Sequence, residues 1–366
     1  MKLERVIISG GGTGGHIFPA IAIADEIKRK NPAVSILFVG AIGKMEMDKV
    51  PAAGYNIVGL PIVGFQRKLT LSNFLLPFKL INSLLKAYLV IKRFKPQVVI
   101  GVGGYASGPT LKIATLLNIP TVIQEQNSFP GKTNKLLAKK VSAICTAYNG
   151  LEQFFPKDKI TLTGNPVRKE MVEIEGKKEE ALAYYGLENT KKTVLIIGGS
   201  LGARTLNNAL LKDLHLLQEK GIQVIWQTGK FYFEHITTAC QAIDLNGIKV
   251  LQFIDRMDLA YAAADCIISR AGAISVSELC LIEKPIVLVP SPNVAEDHQT
   301  KNAMALVQEN AAILVKDTAA IDELIPTVIT LFENDTKQLE LSKAIKVMGK
   351  PNATEDIVNV IEKLIA

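Results

Sequence analysis

Residues 5–16 read Arg-Val-Ile-Ile-Ser-Gly-Gly-Gly-Thr-Gly-Gly-His, and the next stretch, Ile17–Lys30, has a helical pattern. The apolar run Arg5–Gly10 shows no polar alternation, the mark of a strand buried on both faces and hence of a parallel sheet. Glycine lets the backbone come close to a ligand, and the N–H groups opening the following helix can point at an anion. Strand, Gly-rich turn and helix together are the opening unit of a doubly wound α/β domain. Gly10, Gly12 and Gly15 also match the GxGxxG spacing. A dinucleotide site, however, wants an acid at the end of the second strand, and that strand ends Phe38-Val39-Gly40-Ala41. The turn therefore reads as an anion-binding loop without the NAD signature.

The same rhythm continues along the chain. Ser35–Gly40, Val98–Gly103, Thr121–Gln126, Ala143–Tyr148 and Ile160–Asn165 read as further strands of the first half, with helices as right-handed crossovers. It restarts with Thr193–Gly198, Val224–Thr228, Lys249–Ile254, Cys266–Ser269 and Ile286–Pro290. Between the halves lie Gly164-Asn165-Pro166-Val167-Arg168 and the charged Glu173–Glu180, which mark a hinge. The expected organisation is two doubly wound, Rossmann-like α/β domains facing one cleft. Residues 1–164 would form the first, 165–345 the second, and 346–366 a C-terminal helix that packs back on the first. Open α/β sheets bind ligands beyond the carboxyl ends of their strands, so both domains would offer loops to that cleft.

Three more strand–turn–helix units follow: Gly101–Pro109, Gly198–Arg204 and Ser269–Glu278. Several such turns in equivalent positions of two domains point to two anionic groups. Among single polar residues, His16 stands in the first helical turn, where a neutral imidazole could take a proton from a hydroxyl or contact a phosphate. Gln124-Glu125-Gln126-Asn127 ends a strand and is expected to point into the cleft, where amides suit sugar hydroxyls. Arg168 could reach a diphosphate from the hinge. Glu278, about one turn into its helix, could accept ribose hydroxyls. Asp297 reads as an N-cap, with His298 or Gln299 next to a sugar. The segment Leu69–Ile91 is apolar and punctuated by Lys79 and Lys86, with Arg67, Lys68, Lys92, Arg93 and Lys95 around it, which suits a membrane interface or an ordinary crossover helix.

The totals bound these readings. At 366 residues, 48% hydrophobic and 21% charged, the chain has material for two cores. A net charge of +7 suits phosphates, nucleic acid or an anionic membrane. Cys145, Cys240, Cys266 and Cys280 form no CxxC pair and read as buried thiols of a reducing compartment. Met1–Gly12 lacks a signal-peptide apolar region, and no run of about 20 apolar residues is long enough to span a membrane.

Taken together, the motifs resemble the MurG family of N-acetylglucosaminyltransferases, which act in peptidoglycan lipid-intermediate synthesis on a GT-B fold. The matching stretches are GGTGGHIFPA at Gly11–Ala20, GVGGYASGP at Gly101–Pro109, QEQN at Gln124–Asn127 and TGNPVR at Thr163–Arg168. They continue with GGSLGAR at Gly198–Arg204, FIDRM at Phe253–Met257, SRAGAISVSE at Ser269–Glu278 and DHQTKNA at Asp297–Ala303. The resemblance implies inverting transfer of GlcNAc from UDP-GlcNAc to the 4-hydroxyl of MurNAc in undecaprenyl-diphospho-MurNAc-pentapeptide. It implies a donor site of Thr13, Gly14, Gly15, Asn127, Arg168, Ser200, Ile254, Ala273, Glu278 and Gln299, with Ile254 reading uracil through its backbone. Gly14, Gly15, Gly103, Gly104 and Tyr105 would cradle the acceptor diphosphate. His16 would be the catalytic base, with Glu125 as second choice. An apolar patch within Leu69–Leu85 would rest on the anionic cytoplasmic face of the cell membrane, with other cell-wall synthesis proteins as further partners. Helix N-termini and Arg168 would stabilise the leaving diphosphate, so no cofactor or metal is obligatory and divalent-cation dependence is left open; no Asp-x-Asp motif occurs.

Other classes make different predictions. A diacylglycerol galactosyltransferase would share the donor motifs but lack GGTGGH with GGYASGP. A UDP-GlcNAc 2-epimerase would turn over the donor without an acceptor, and a non-catalytic module would bind without turnover. Nucleic-acid binding is disfavoured, since aromatics are only 6% and basic residues are scattered.

Overall fold

A computed structural model describes residues 2–62 and 76–365 of the chain. It divides into two compact units, Met1–Val167 with Lys350–Ala366, and Arg168–Gly349. The chain crosses later than the composition suggests because Asn165 is buried among the strand ends of the first unit, donating to the Gln126 carbonyl at 2.9 Å. It returns at Lys350 because helix Asp335–Met348 packs on helix Ala273–Ile282 of the second unit.

The first unit is a seven-stranded parallel sheet in the order β3-β2-β1-β4-β5-β6-β7. Its strands are β1 (Arg5–Ser9), β2 (Ser35–Ala41), β3 (Asn56–Leu60), β4 (Val98–Gly101), β5 (Thr121–Glu125), β6 (Ala143–Thr146) and β7 (Ile160–Leu162). Successive side chains of a strand point to opposite faces, and here both faces are covered. Val6 and Ile8 pack with Ile17, Ile23 and Ile27 of helix Gly14–Lys30 and with Ile357, Val358 and Ile361 of helix Ala353–Ile365. Ile7 joins Val99, Ile123, Leu111 and Ile91 on the other face. The C-terminal helix thus belongs to this core. Register is direct, Ile8 standing opposite Phe38 and Ile100.

The second unit is a six-stranded parallel sheet in the order β10-β9-β8-β11-β12-β13. Its strands are β8 (Thr193–Ile197), β9 (Gln223–Gln227), β10 (Ile248–Leu251), β11 (Cys266–Ser269), β12 (Ile286–Leu288) and β13 (Ile313–Leu314). Trp226 is fully buried against Leu206, Leu210 and Val224. Its indole N–H, costly to bury unpaired, donates to Asn207 Oδ1 at 2.9 Å, and Asn207 Nδ2 donates to the Thr228 carbonyl at 2.9 Å. The strands β3 and β13 carry no sequence signal. β3 is an edge strand holding Asn56 and Gly59, and β13 has two residues.

Candidate active site

In the first unit, β1 and β4 end side by side, and their Gly-rich turns touch. A Cβ on Gly104 would lie 2.3 Å from the Gly11 carbonyl oxygen, and one on Gly10 would lie 2.1 Å from Val102 Cγ2. Gly104 also has φ +84°, a region open chiefly to glycine. Helix Gly14–Lys30 starts from Thr13, whose side chain makes no capping bond, so the first amides keep the orphan donors of a helix N-terminus. Thr13 and Gly15 are exposed, and Tyr105 is 49% exposed. His16 is half-buried in the first turn, its Nδ1 3.2 Å from the Gly11 carbonyl and 3.3 Å from Thr13 Oγ1. Its ring lies against the second turn, where a Cβ on Gly103 would approach Nε2 to 2.8 Å. Ser107 Oγ, at the start of the next helix, is buried with no hydrogen-bond partner among the described residues.

Beneath the first turn lies an acid that the sequence motifs do not flag. Glu46 is 1% exposed and accepts from Gly12 N at 2.8 Å and Ala41 N at 2.9 Å. Gly11 and Gly40 make room for it, since a Cβ on either would come within 2.5 Å of its side chain.

Residues Gln124, Glu125 and Gln126 do not point at a ligand as expected. Gln124, Glu125 and Gln126 are all buried. Gln124 Nε2 donates to Asn165 Oδ1, and Gln126 Nε2 to the Val102 carbonyl, both at 2.9 Å. Buried polar groups are held this way because desolvation without a partner is costly. Glu125 Oε1 accepts from the backbone and side-chain N–H of Asn127 at 3.1 and 3.2 Å. Its Oε2 accepts from Gly131 N at 3.1 Å and Asn134 Nδ2 at 2.8 Å. Burial raises its carboxyl pKa, against these bonds. Both oxygens fasten the 127–134 loop, so Glu125 is a loop anchor and not an available base. Asn127 is the half-buried member of the motif.

In the second unit, the loops after β8, β10, β11 and β12 all leave the carboxyl edge of one sheet; Ser200 and Ile254 lie on the first two, and Ala273 and Gln299 in the first turns of the helices that follow β11 and β12. The β8 turn is tight: a Cβ on Gly202 would lie 2.2 Å from the Thr228 carbonyl, and one on Gly229 would lie 2.0 Å from Gly202 N. Ser200 is exposed on this turn. Helix Ala273–Ile282 begins at Gly272 with no side-chain cap hydrogen bond, and a helix N-terminus is a setting that suits an anion. Arg270 is held by Asp317 at 2.5 Å and by the Val289 carbonyl at 2.9 Å, so it braces the turn. Glu278, half-buried, accepts from Tyr261 Oη at 3.3 Å. Loss of hydration pushes its carboxyl up to about 7, opposed by the Arg168 charge and the Tyr261 hydrogen bond. Arg168 itself is exposed. Tyr261 is buried, and the carbonyls of Tyr261 and Ala262 receive Lys284 Nζ at 2.7 and 2.9 Å. Burial brings that lysine down to about 8.

At Ile254, the position expected to read a base through its backbone, the N–H already donates to Gln227 Oε1 at 3.1 Å. Its loop is clamped: Arg256 grips Asp258 at 2.9 and 3.0 Å, and Tyr185 Oη donates to the Arg256 carbonyl at 3.3 Å. Gln299 Oε1 accepts from Ser291 N at 2.8 Å. Asp297 is not a side-chain cap. It sits at φ +51°, and its carboxylate accepts from Thr300 Oγ1 at 2.7 Å. Among the described residues, no cluster of three His, Cys, Asp or Glu could hold a metal ion.

Profiles of the glycosyltransferase family 28 N-terminal and C-terminal domains match residues 6–146 and 193–357. A protein of Flavobacterium psychrophilum named UDP-N-acetylglucosamine--N-acetylmuramyl-(pentapeptide) pyrophosphoryl-undecaprenol N-acetylglucosamine transferase is 55% identical over 365 residues, covering 100% of this chain and 99% of that protein. The crystal structure of Acinetobacter baumannii MurG matches with a TM-score of 0.81 at 30% identity, over 98% of this chain and 99% of that one. The chain belongs to glycosyltransferase family 28, in its MurG branch. Its fold is therefore GT-B. A UDP-GlcNAc 2-epimerase from Neisseria meningitidis shares that fold with a TM-score of 0.68, at 16% identity over 99% of this chain and 100% of that one.

Within this MurG-branch chain, each unit gathers its own set. The first holds Thr13, Gly14, Gly15, His16, Gly103, Gly104 and Tyr105 around two touching turns, with Asn127 on the loop after β5. The second holds Ser200, Ile254, Ala273 and Gln299 at one sheet edge, and Glu278 with Arg168 in electrostatic reach. Sequence reasoning missed Glu46 and Tyr261. The signal for Glu46 was the pair Gly11 and Gly40, two glycines whose missing side chains leave space for one carboxylate.

Proposed function

We propose that the chain transfers GlcNAc from UDP-GlcNAc to the 4-hydroxyl of MurNAc in undecaprenyl-diphospho-MurNAc-pentapeptide, with inversion, as a step of peptidoglycan synthesis. The observation that carries this reading is a Gly-rich turn leading into a helix at the sheet edge in each unit, alongside the likeness to the transferase named above. The donor sits on the second unit. The Ile254 backbone addresses the base, Glu278 accepts the ribose hydroxyls, and Ser200, Arg168 and the helix opening at Ala273 take the diphosphate. Gln299 addresses the sugar. The acceptor diphosphate sits on Gly14, Gly15, Gly103, Gly104 and Tyr105. His16 takes the proton of the attacking hydroxyl, the bond from the hydroxyl oxygen to the anomeric carbon forms, and UDP leaves with the old bond's electrons. Its charge is met by fixed N–H dipoles and Arg168, which need no reorganisation during reaction, and no resident cofactor enters the scheme.

The acceptor's lipid places the enzyme at a membrane. No helix among the described residues is long and apolar enough to cross one. Helix Leu76–Phe94 instead buries Ser83, Ala87 and Ile91 and exposes Phe78, Ile81, Leu85 and Leu89 as one stripe, with Phe78 71% exposed. Lys79, Lys86, Lys92 and Arg93 accompany it. An apolar stripe among basic residues suits the anionic face of a bilayer, so the proposed location is peripheral, on the cytoplasmic face. Residues 69–75 of the expected patch lie outside the described residues, and the stripe continues past Leu85 to Leu89. The test is NMR of the product made from UDP-GlcNAc and a short-chain lipid-diphospho-MurNAc-pentapeptide. A β-1,4 link is expected; an α link or another hydroxyl contradicts the scheme.

A further inference from the structure

We propose that Glu46 is a positioning residue that sets the tautomer of His16. The inference rests on the reading of His16 as the base. It comes from the geometry of one peptide unit. The Gly11 carbonyl and the Gly12 N–H belong to the same planar trans peptide and point in opposite directions. Glu46 Oε2 holds the Gly12 N–H at 2.8 Å, while Oε1 is anchored on Ala41 N at 2.9 Å. With the N–H drawn toward Glu46, the Gly11 carbonyl is turned the other way, to 3.2 Å from His16 Nδ1. A carbonyl can only accept, while the Thr13 hydroxyl, 3.3 Å from the same nitrogen, can accept as well as donate and so fits the arrangement the carbonyl demands. Nδ1 therefore carries the ring proton, and Nε2, the nitrogen beside Gly103, carries the lone pair.

The surroundings hold this peptide where it is. Gly11 has φ +147° and Gly12 φ +88°, so the turn adopts a conformation that side-chain-bearing residues avoid. A Cβ on Gly11 would lie 2.2 Å from Glu46 Cδ, and one on Gly40 2.5 Å from Glu46 Cγ. The carboxylate is 1% exposed, and its hydrogen bonds to the two backbone amides are of the charge-assisted kind, stronger than those between neutral groups. Glu46 also takes the Gly12 amide out of anion binding, which leaves that task to the helix amides that follow. Which His nitrogen bears the proton is commonly decided by the bond its partner makes. Here that bond is to a backbone carbonyl whose direction a remote carboxylate sets.

The experiment is nitrogen NMR of the full chain with labelled histidine, near pH 8, where imidazoles are mostly neutral. The chain has 4 histidines, His16, His215, His235 and His298, and a His16→Gln spectrum assigns the relevant one. Wild-type His16 should show a protonated Nδ1 and an unprotonated Nε2. In Glu46→Gln the amide cannot accept from both backbone N–H groups, so the preference should fall. The turnover rate should then drop about 10- to 100-fold, within the contribution of general base catalysis, while the KM for UDP-GlcNAc stays within about twofold, as expected when the donor's binding is left alone. A wild-type His16 protonated on Nε2 overturns the proposal whether or not the variant folds. An unchanged tautomer and rate in Glu46→Gln overturn it as well. Full turnover by His16→Gln would instead sink the base reading, which separates the two failures.

Discussion

The pH dependence of donor binding follows from Glu278. In the ligand-free protein this carboxyl sits half-buried beside Tyr261, and loss of hydration pushes it up to about 7 from the usual 4.5. Tyr261, through its hydrogen bond, and Arg168, through its charge, pull the other way. The folded, empty protein therefore holds a proton that the unfolded chain releases. This group's contribution to stability is fully present below about pH 4.5 and is lost as pH rises through about 7, a difference of about 3 kcal/mol. Ribose hydroxyls donating into the carboxylate would favour its ionised form, so the donor binds the state that higher pH populates. Between pH 6 and pH 8 the ionised fraction rises about tenfold, so UDP-GlcNAc affinity should rise about tenfold, near 1.4 kcal/mol. Titration calorimetry at pH 6, 7 and 8 measures this directly. UDP-GlcNAc is the right probe because free UDP has a terminal phosphate that itself titrates near pH 6. Glu278→Gln should bind more weakly and flatten the profile. A flat wild-type profile, or the same slope in Glu278→Gln, would refute the placement of the ribose on this carboxylate.

Three further outcomes are expected. Gly104→Ala puts a methyl 2.3 Å from the Gly11 carbonyl at φ +84°, so it should lower stability by about 1–3 kcal/mol and transfer by at least about tenfold, read by thermal melting and initial rates. Ile361→Ala removes a fully buried side chain from the C-terminal helix in the first core, and chemical unfolding should show a loss of about 2–5 kcal/mol, with turnover retained where the protein is folded. Leu85→Glu with Leu89→Glu alters side chains 60% and 65% exposed, so melting should barely move, while co-sedimentation with anionic vesicles should fall at least about tenfold.

The fold was legible wherever burial on both faces wrote an uninterrupted apolar run. Val6-Ile7-Ile8 and Val194-Leu195-Ile196-Ile197 are such runs, and each leads into a Gly-rich turn. The edges were not legible. β3 begins with Asn56 and is only partly covered, so its pattern is diluted. The Gly-rich turns were legible because glycine clusters there have a steric reason, seen in the contact of Gly104 with Gly11 and of Gly202 with Gly229. What the sequence alone did not separate was a polar residue facing a ligand from one facing the interior. Gln124, Glu125 and Gln126 end β5 between two neighbouring strands, and their amides and carboxylate are absorbed by Asn165, Val102 and the 127–134 loop. Glu46 failed in the opposite sense. No motif of the sequence marks this acid, and only the tertiary fold carries it under the first turn.

Transfer itself is the most direct measurement. Purified protein is given radiolabelled UDP-GlcNAc with and without a lipid-diphospho-MurNAc-pentapeptide, and label in the lipid phase is counted against released UDP. The expected result is lipid labelling that requires the acceptor, with one UDP released for each sugar transferred. Donor turnover without acceptor would contradict the transferase reading and indicate the epimerase class. Donor binding with no turnover under either condition would contradict the acceptor assignment.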